Sequence, residues 1–180
     1  MTCHAIFREK DIFPYRSASD NNVVFEDRFT GKVIVFDTDG NVALVGNKIN
    51  DFYLLPGGGI GPNEPIETGI IRECLEEIGC KVTLLKDLGT TEDFRTRDKK
   101  HYINHCFTAQ VIGEKGKLHL TEEEAKNGMH VKWVPLEEAI KILADEVEQL
   151  HQGKISFYNT GFNISRDHIF LLEAQKKKHK

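Results

Sequence analysis

The sequence predicts an α/β fold in which helices cover both faces of a mixed β-sheet. Apolar, β-branched runs separated by turn residues fill much of the chain up to residue 55 and again from 81 to 111. A helical pattern between Pro65 and Gly79 separates these groups of strands, and a second helical pattern follows the last strand at Pro135. Strands that flank one helix and are followed by another favour a sheet with a helical layer on each side.

Four short strands are predicted before the first long helix. Ala5–Phe7 is followed by a polar loop at 17–22. The runs Lys32–Asp37 and Asn41–Gly46 are joined by Asp-Thr-Asp-Gly, and an Asp-Gly pair between two such runs indicates a β-hairpin. Phe52–Leu55 is a short apolar strand that leads into a Pro-Gly-Gly-Gly stretch.

The helix that follows has clear signals at both ends. Pro62 and Pro65 mark its start, and Gly79 stands where a left-handed cap would end it. Gly69 within the helix costs about 1 kcal/mol relative to Ala, which predicts close backbone packing at that point. An apolar stripe, offset from the carboxylates, is expected to pack on the sheet: Ile70, Ile71, Leu75 and Ile78.

The second half of the chain is predicted to complete the sheet and end in two helices. The expected strands are Lys81–Leu85, Leu88–Phe94, Tyr102–Val111 and Val131–Val134. The basic turn at Arg95–Lys100 could steer phosphates into a site, but we favour a solvated hairpin turn. One helix begins at Pro135. A last helix is predicted from Ser165, as N-cap, with a frayed tail at Lys176–Lys180.

Length, charge and composition limit the classes of function that this chain can have. A chain of 180 residues suits a single domain over 1–180. A net charge of −4 argues against polymeric nucleic acid as a partner, which calls for a basic face. We expect a cytoplasmic protein with reduced thiols, because we find no signal peptide, no apolar run long enough to span a membrane and no CxxC pair.

The stretch from Gly58 to Cys80 carries the most information about chemistry. Glu73, Glu76 and Glu77 lie on adjacent turns of one helix, where like charges destabilise each other unless a cation compensates them. Clustered carboxylate oxygens suit a hard divalent ion such as Mg²⁺. The glycine loop before the helix can bring backbone close to a phosphate.

This stretch fits Gly-x5-Glu-x7-Arg-Glu-U-x-Glu-Glu-x-Gly-U, where U is apolar, from Gly58 through Glu64, Arg72 and Gly79 to Cys80. It therefore resembles the Nudix box of the Nudix (MutT-like) hydrolases. The resemblance implies a Nudix-type α/β/α sandwich with a mixed β-sheet. It covers a core of about 32–144 and carries no signal in the extensions at 1–27 and 145–180.

The resemblance also implies roles for residues. Glu73, Glu76, Glu77 and the Gly57 carbonyl match the family's metal ligands, with Mg²⁺ the expected cofactor and Mn²⁺ an alternative. Glu73 is our preferred general base. Arg72 is counted with the three glutamates among the candidate catalytic residues, and its implied role is an ion pair with Glu64 that ties the loop to the helix. Gly58, Glu64 and Gly79 are implied as structural residues.

The implied activity is hydrolysis of a diphosphate bond in a nucleoside diphosphate linked to another moiety. A nucleoside triphosphate, a nucleotide sugar and an ADP-ribose-like molecule all fit, and a homodimer is possible in this family. The alternative is a Nudix-fold module that senses a nucleotide without cleaving it. The intact glutamate set favours the enzyme. A third interpretation is an acidic helix on an unrelated α/β domain.

Two further groups of residues, a pair of glutamates and a pair of histidines, could also belong to the site. Glu123 and Glu124 could supply an extra metal ligand or the base, but we favour an acidic turn that starts a helix after Thr121. His101 and His105 are expected to be exposed or hydrogen-bonded rather than metal ligands.

Overall fold

A computed structural model describes residues 2–14, 22–49 and 51–178. Within these ranges the strands are β1 (Cys3–Arg8), β2 (Glu26–Phe36), β3 (Asn41–Asn47), β4 (Phe52–Leu54), β5 (Lys81–Arg95), β6 (Lys100–Ile112) and β7 (Met129–Pro135). The helices are α1 (Glu9–Ile12), α2 (Ile66–Ile78), α3 (Glu122–Lys126), α4 (Leu136–His151) and α5 (Tyr158–Lys178). Most of the polar loop predicted at 17–22 lies outside the described residues.

All seven strands form one sheet. Its order is β1-β5-β6-β2-β3-β4, with β7 on the other side of β3. β1 runs parallel to β5 and β2 runs parallel to β6, whereas the remaining pairs are antiparallel. The sheet is therefore mixed, as predicted.

Each face of the sheet has its own apolar layer. On one face α2 covers the odd-numbered core residues of β2, such as Val33 and Val35. On the other face α4 and α5 cover Ile34, with Phe170 and Leu171 of α5 fully buried there. No helix among the residues with described structure is both long and apolar enough to cross a membrane.

The predicted hairpin forms between β2 and β3. Asp37 organises its turn: the carbonyl accepts the amide of Gly40 at 3.1 Å, and Oδ1 accepts the amide of Asn41 at 2.8 Å. β2 and β3 are paired only at Phe36 and Val42, next to the turn. Further from the turn, β2 is flanked by the chain that follows β4 rather than by β3. The amides of Gly31 and Val33 donate to the carbonyls of 58 and 56 at 3.0 and 3.1 Å. This inserted segment, residues 56–59, is called the glycine loop below.

Two sequence predictions about strands and turns were wrong. Lys81–Leu85 and Leu88–Phe94 belong to the single strand β5, because bulges at 84–86 and 87–89 absorb the extra residues while the ladder with β6 continues. The Arg95 side chain is also not solvated in a turn. It is buried at the end of β5 and donates to Asp93 at 2.8 Å.

The start of the last helix was also predicted wrongly. α5 begins at Tyr158, so Ser165 lies inside it and donates Oγ–H to the carbonyl of Gly161 at 3.0 Å. Tertiary packing explains the earlier start, because Phe162 is fully buried against Phe13. Of the tail that was predicted to be frayed, residues 176–178 belong to the helix, and residues 179–180 lie outside the described part of the chain.

Candidate active site

The glycine loop adopts a backbone that only glycine fits well at one point. Gly57 has φ +119°, and a Cβ added there would lie 2.2 Å from the carbonyl oxygen of Gly31. Its amide donates to Oε2 of Glu77 at 2.7 Å. Its carbonyl oxygen accepts a hydrogen bond from Nζ of Lys32 at 2.5 Å. Both backbone groups of this residue are therefore held by side chains.

The loop after these glycines folds back onto the first turns of α2. A Cβ on Gly69 would lie 2.6 Å from Cδ1 of Ile60 and 3.2 Å from the carboxyl carbon of Glu64. The close packing predicted at Gly69 is thus confirmed, and its partner is the loop. Glu64 also accepts the amide of Gly61 at 2.8 Å, which closes the loop on itself.

α2 packs through a narrower stripe than the sequence suggested. Ile70, Cys74 and Ile78 are buried, four residues apart, whereas Ile71 and Leu75 are 44% and 43% exposed. Because successive residues are rotated by about 100°, a helix on a flat sheet buries the i, i+4 line and leaves the flank open. The helix ends at Ile78, and Gly79, with a φ of 64°, is the predicted left-handed cap.

Arg72 lies among the carboxylates of the motif. Its Nε is 3.1 Å from Oε1 of Glu64, and its Nη1 is 2.9 Å from Oε1 of Glu73 and 3.0 Å from Oε2 of Glu76. Hydrogen bonding to Glu64 is the largest cause that raises the pKa of Arg72. The same bond holds the pKa of Glu64 below its ordinary value. One guanidinium thus links the loop to two of the helix glutamates.

Two of the three helix glutamates, Glu73 and Glu77, face the glycine loop. Glu77 binds the amide of Gly57, and Glu73 lies so close to Gly58 that a Cβ there would be 2.7 Å from Oε1. The Glu73 side chain therefore needs position 58 to be free of a side chain. Glu76 is more open, with its side chain 45% exposed, against 13% for Glu73.

The oxygen atoms of the three helix glutamates and of the Gly57 carbonyl suit a divalent cation, although the carboxylates bind Arg72 and the Gly57 amide in this structure. Carboxylates and a backbone carbonyl are oxygen donors, which is what Mg²⁺ and Mn²⁺ prefer. In the described ranges no three acidic, His or Cys side chains converge closely enough to hold a metal ion. The Arg72 guanidinium stands between Glu73 and Glu76 as a cation, so these carboxylates must rotate away from it to bind another one.

The other residues that the sequence analysis considered as metal ligands either lie apart from this cluster or have side chains outside the described part of the structure. Glu123 and Glu124 belong to α3, which begins directly after Thr121; their side chains are outside the described part of the structure. His101 is hydrogen-bonded to Asp27 at 2.9 Å and to Glu92 at 3.0 Å. His105 binds Asp87 at 2.9 Å. The histidines are thus hydrogen-bonded, as expected.

Sequence reasoning missed the buried charges behind the loop. Lys32 is 6% exposed, and Arg166 and Asp167 of α5 are 3% and 0% exposed. Lys32 could have been noticed as a charge within an apolar strand, where a buried cation needs partners. The Arg166–Asp167 pair carries no sequence signal of its own, because its partner segment is more than 100 residues away.

Comparison with known proteins decides the family. A model of the NUDIX domain matches residues 29–157, which is more than half of the chain. The chain belongs to the NUDIX family. It is accordingly a Nudix hydrolase, and its sheet with flanking helices is the α/β/α sandwich of that family.

Curated relatives and solved structures support this assignment. Diphosphoinositol polyphosphate phosphohydrolase 3-alpha of Mus musculus is 28% identical over 125 residues, covering 65% of this chain and 73% of that protein. RNA pyrophosphohydrolase of Hydrogenovibrio crunogenus is 31% identical over 84 residues, covering 46% of this chain and 51% of that protein. A Nudix hydrolase from Nitrosomonas europaea superposes with a TM-score of 0.55 at 18% identity, covering 79% of this chain and 93% of that one, which shows the fold alone.

Proposed function

We propose that this Nudix hydrolase is a Mg²⁺-dependent pyrophosphohydrolase, with Mn²⁺ able to replace Mg²⁺. Its substrate is a nucleoside diphosphate linked to another moiety: a nucleoside triphosphate, a nucleotide sugar or an ADP-ribose-like molecule. The observation that carries the proposal is the cluster of Glu73, Glu76 and Glu77 beside the Gly57 loop, with Arg72 as the cation shared by Glu73 and Glu76.

Four residues would hold the metal ion: Glu73, Glu76, Glu77 and, through its carbonyl, Gly57. When bound, a divalent ion neutralises phosphate oxygens and lowers the pKa of an attacking water. Glu73 is the proposed general base, because its carboxylate is shielded and lies against the loop at Gly58. It accepts the proton of the water as the new phosphorus–oxygen bond forms and the bond to the bridging oxygen breaks.

Arg72 organises the carboxylates before the substrate arrives. Its fork of N–H donors holds the carboxylates of Glu73 and Glu76 in place, and Glu64 fixes the guanidinium from the loop side. The guanidinium remains beside the site as a positive charge when the carboxylates turn to the metal. The products are a monophosphate and the remaining phosphorylated fragment.

The names of the relatives support the proposed type of bond that is cleaved, but they do not agree on one substrate. A pyrophosphohydrolase of RNA and a phosphohydrolase of diphosphoinositol polyphosphate are among the curated relatives. An ADP-ribose pyrophosphatase from Streptococcus suis shares the fold at a TM-score of 0.52 and 13% identity, covering 83% of this chain and 92% of that one. All three names describe hydrolases of phosphorylated compounds.

The test is a chromatographic screen of nucleoside triphosphates, nucleotide sugars, ADP-ribose and diphosphoinositol polyphosphate with Mg²⁺, Mn²⁺ or EDTA. We expect cleavage of a nucleoside diphosphate derivative that EDTA abolishes, and loss of turnover in Glu76→Gln and Glu77→Gln. Glu67→Gln is the matched control, because Glu67 is an exposed glutamate on the same helix. Turnover retained in both site variants would refute the metal assignment, and binding without turnover would favour a sensor.

A further inference from the structure

The C-terminal helix α5 reaches the glycine loop from outside the matched family segment. The NUDIX match ends at residue 157, and α5 begins at Tyr158. The helix packs on the face of the sheet opposite α2, with Phe170 and Leu171 in the apolar layer. Asp167, one turn before Phe170, is fully buried.

Asp167 binds the backbone that enters the loop. Its Oδ2 accepts the amide N–H of Leu55 at 2.9 Å, two residues before Gly57. Its Oδ1 accepts Nε–H of Arg166 at 2.7 Å. Both carboxylate oxygens therefore have donors, and one of these donors belongs to the main chain of the candidate site. Such charge-assisted bonds are stronger than neutral ones.

Residues 55–57 are held from both faces of the sheet. The amide of Leu55 is fixed by Asp167, and the amide of Gly57 is fixed by Glu77 of α2 at 2.7 Å. The Gly57 carbonyl accepts Lys32, whose backbone is part of β2. The Gly57 carbonyl belongs to the 57–58 peptide: Lys32 holds its oxygen, and the anchored amides of Leu55 and Gly57 fix the backbone that leads into it.

Charge links the same groups. Asp167 pairs with the buried Arg166 at 2.7 Å, and charge attraction also links it to the buried Lys32. Removal of the Asp167 carboxylate would leave both cations without this compensation and would free the amide of Leu55.

We infer that Asp167 is a positioning residue, which anchors the backbone leading to the Gly57 carbonyl and thereby strengthens divalent cation binding. The inference rests on the proposed function, because the cation is the one proposed there. Groups that orient metal ligands from behind typically contribute about 10- to 100-fold to metal affinity. The C-terminal helix α5 would then help to hold the metal ligands in position.

A purely structural role is the competing explanation, and the chain contains a control for it. Asp93 pairs with Arg95 at 2.8 Å, and both side chains are as buried as those of Asp167 and Arg166. Neither Asp93 nor Arg95 bonds to residues 55–57 in the described contacts. Asp93→Ala therefore measures the effect of breaking a buried ion pair away from the loop.

The experiment compares Asp167→Ala with Asp93→Ala in two assays without substrate. Electron paramagnetic resonance of free Mn²⁺ gives the metal affinity, and hydrogen exchange of the metal-free protein follows the amides of Leu55 and Gly57. We expect about 10-fold or greater loss of Mn²⁺ affinity in Asp167→Ala, with faster exchange at both amides. Asp93→Ala should lose thermal stability but keep its Mn²⁺ affinity within about 2-fold of the wild type.

Equal Mn²⁺ affinities in the two variants would overturn the positioning role. If Asp167→Ala does not fold, the double variant Arg166→Met/Asp167→Ala replaces it, since it also removes one uncompensated cation. Glu77→Gln in the same titration separates the two proposals. Wild-type affinity in Glu77→Gln would overturn the proposed function, whereas loss in Glu77→Gln alone would overturn only the role of Asp167.

Discussion

Nη1 of Arg72 lies 3.0 Å from Oε2 of Glu76, one helical turn further along α2, and 2.9 Å from Oε1 of Glu73. A single nitrogen therefore orders two carboxylates, while Nε of the same side chain binds Glu64. Only a planar fork of donors can serve three carboxylates in this geometry. The arrangement keeps the glutamates together in spite of their like charge.

We predict that Arg72→Lys lowers activity although it preserves the charge. A single ammonium cannot reach Glu64 and the two helix glutamates at once, so the loop loses its tie to the helix. We expect kcat to fall by about 10-fold or more, measured by product release under saturating Mg²⁺. Lys81→Arg, at an exposed position after the helix, should leave kcat unchanged. Full activity in Arg72→Lys would show that the fork is dispensable.

Gly57→Ala should disrupt the loop more than another left-handed glycine would. Its Cβ would meet the Gly31 carbonyl oxygen at 2.2 Å in addition to the strain of φ +119°. Gly113 has φ +74° with nothing within 4 Å of an added Cβ, so Gly113→Ala is the control for strain alone. Strain of this kind costs about 1–3 kcal/mol, and Gly57→Ala should exceed its control in urea denaturation. Equal losses would mean that the close approach is unimportant.

The stripe through which α2 packs can be tested with two adjacent isoleucines. Ile70 is fully buried beneath the helix, whereas Ile71 is 44% exposed. Ile70→Ala should lower the free energy of unfolding by about 2–5 kcal/mol, because it leaves a cavity. Ile71→Ala should cost less than about 1 kcal/mol. A larger loss at Ile71 would contradict the orientation of the helix described above.

Glu146 is expected to make stability depend on pH. It is buried on α4, where burial is the main cause that raises its pKa to about 8, and its Oε2 has no hydrogen-bond partner among the described residues. Between its unfolded pKa near 4.5 and its folded pKa near 8, the folded protein holds a proton that the unfolded chain has released. Stability should therefore fall as pH rises through this window, by up to roughly 1.4 kcal/mol per pH unit.

Glu146→Gln should remove that slope. The amide oxygen can still accept the backbone N–H of Tyr53, which Glu146 binds at 2.8 Å. Urea denaturation at pH 5 and pH 8 should show the variant gaining stability relative to the wild type at the higher pH. An unchanged difference between the two proteins across this range would show that Glu146 titrates normally.

The local chemistry of the motif could be predicted from sequence, because its residues are close in the chain. The hairpin at Asp37 and the caps of α2 depend on turn residues within a few positions of each other. Gly69 was recognised as a close approach for the same reason, and the loop supplies the contact.

What was missed depends on contacts between distant segments. Arg95 was expected in a solvated turn, yet Asn159 and Asn163 of α5 accept its guanidinium N–H groups. Ser165 carries the signature of a cap, but packing of the preceding turn extends the helix past it. Asp167 meets Leu55 across 112 residues, which no local pattern encodes.

We propose that Glu73, Glu76 and Glu77 bind the divalent ion on which hydrolysis depends. The most direct measurement is a Mn²⁺ titration, followed by electron paramagnetic resonance, of the wild type and of the variant with all three changed to Gln. We expect binding by the wild type and none by the triple variant, with thermal unfolding showing that the variant is folded. Equal Mn²⁺ binding by both folded proteins would contradict this proposal.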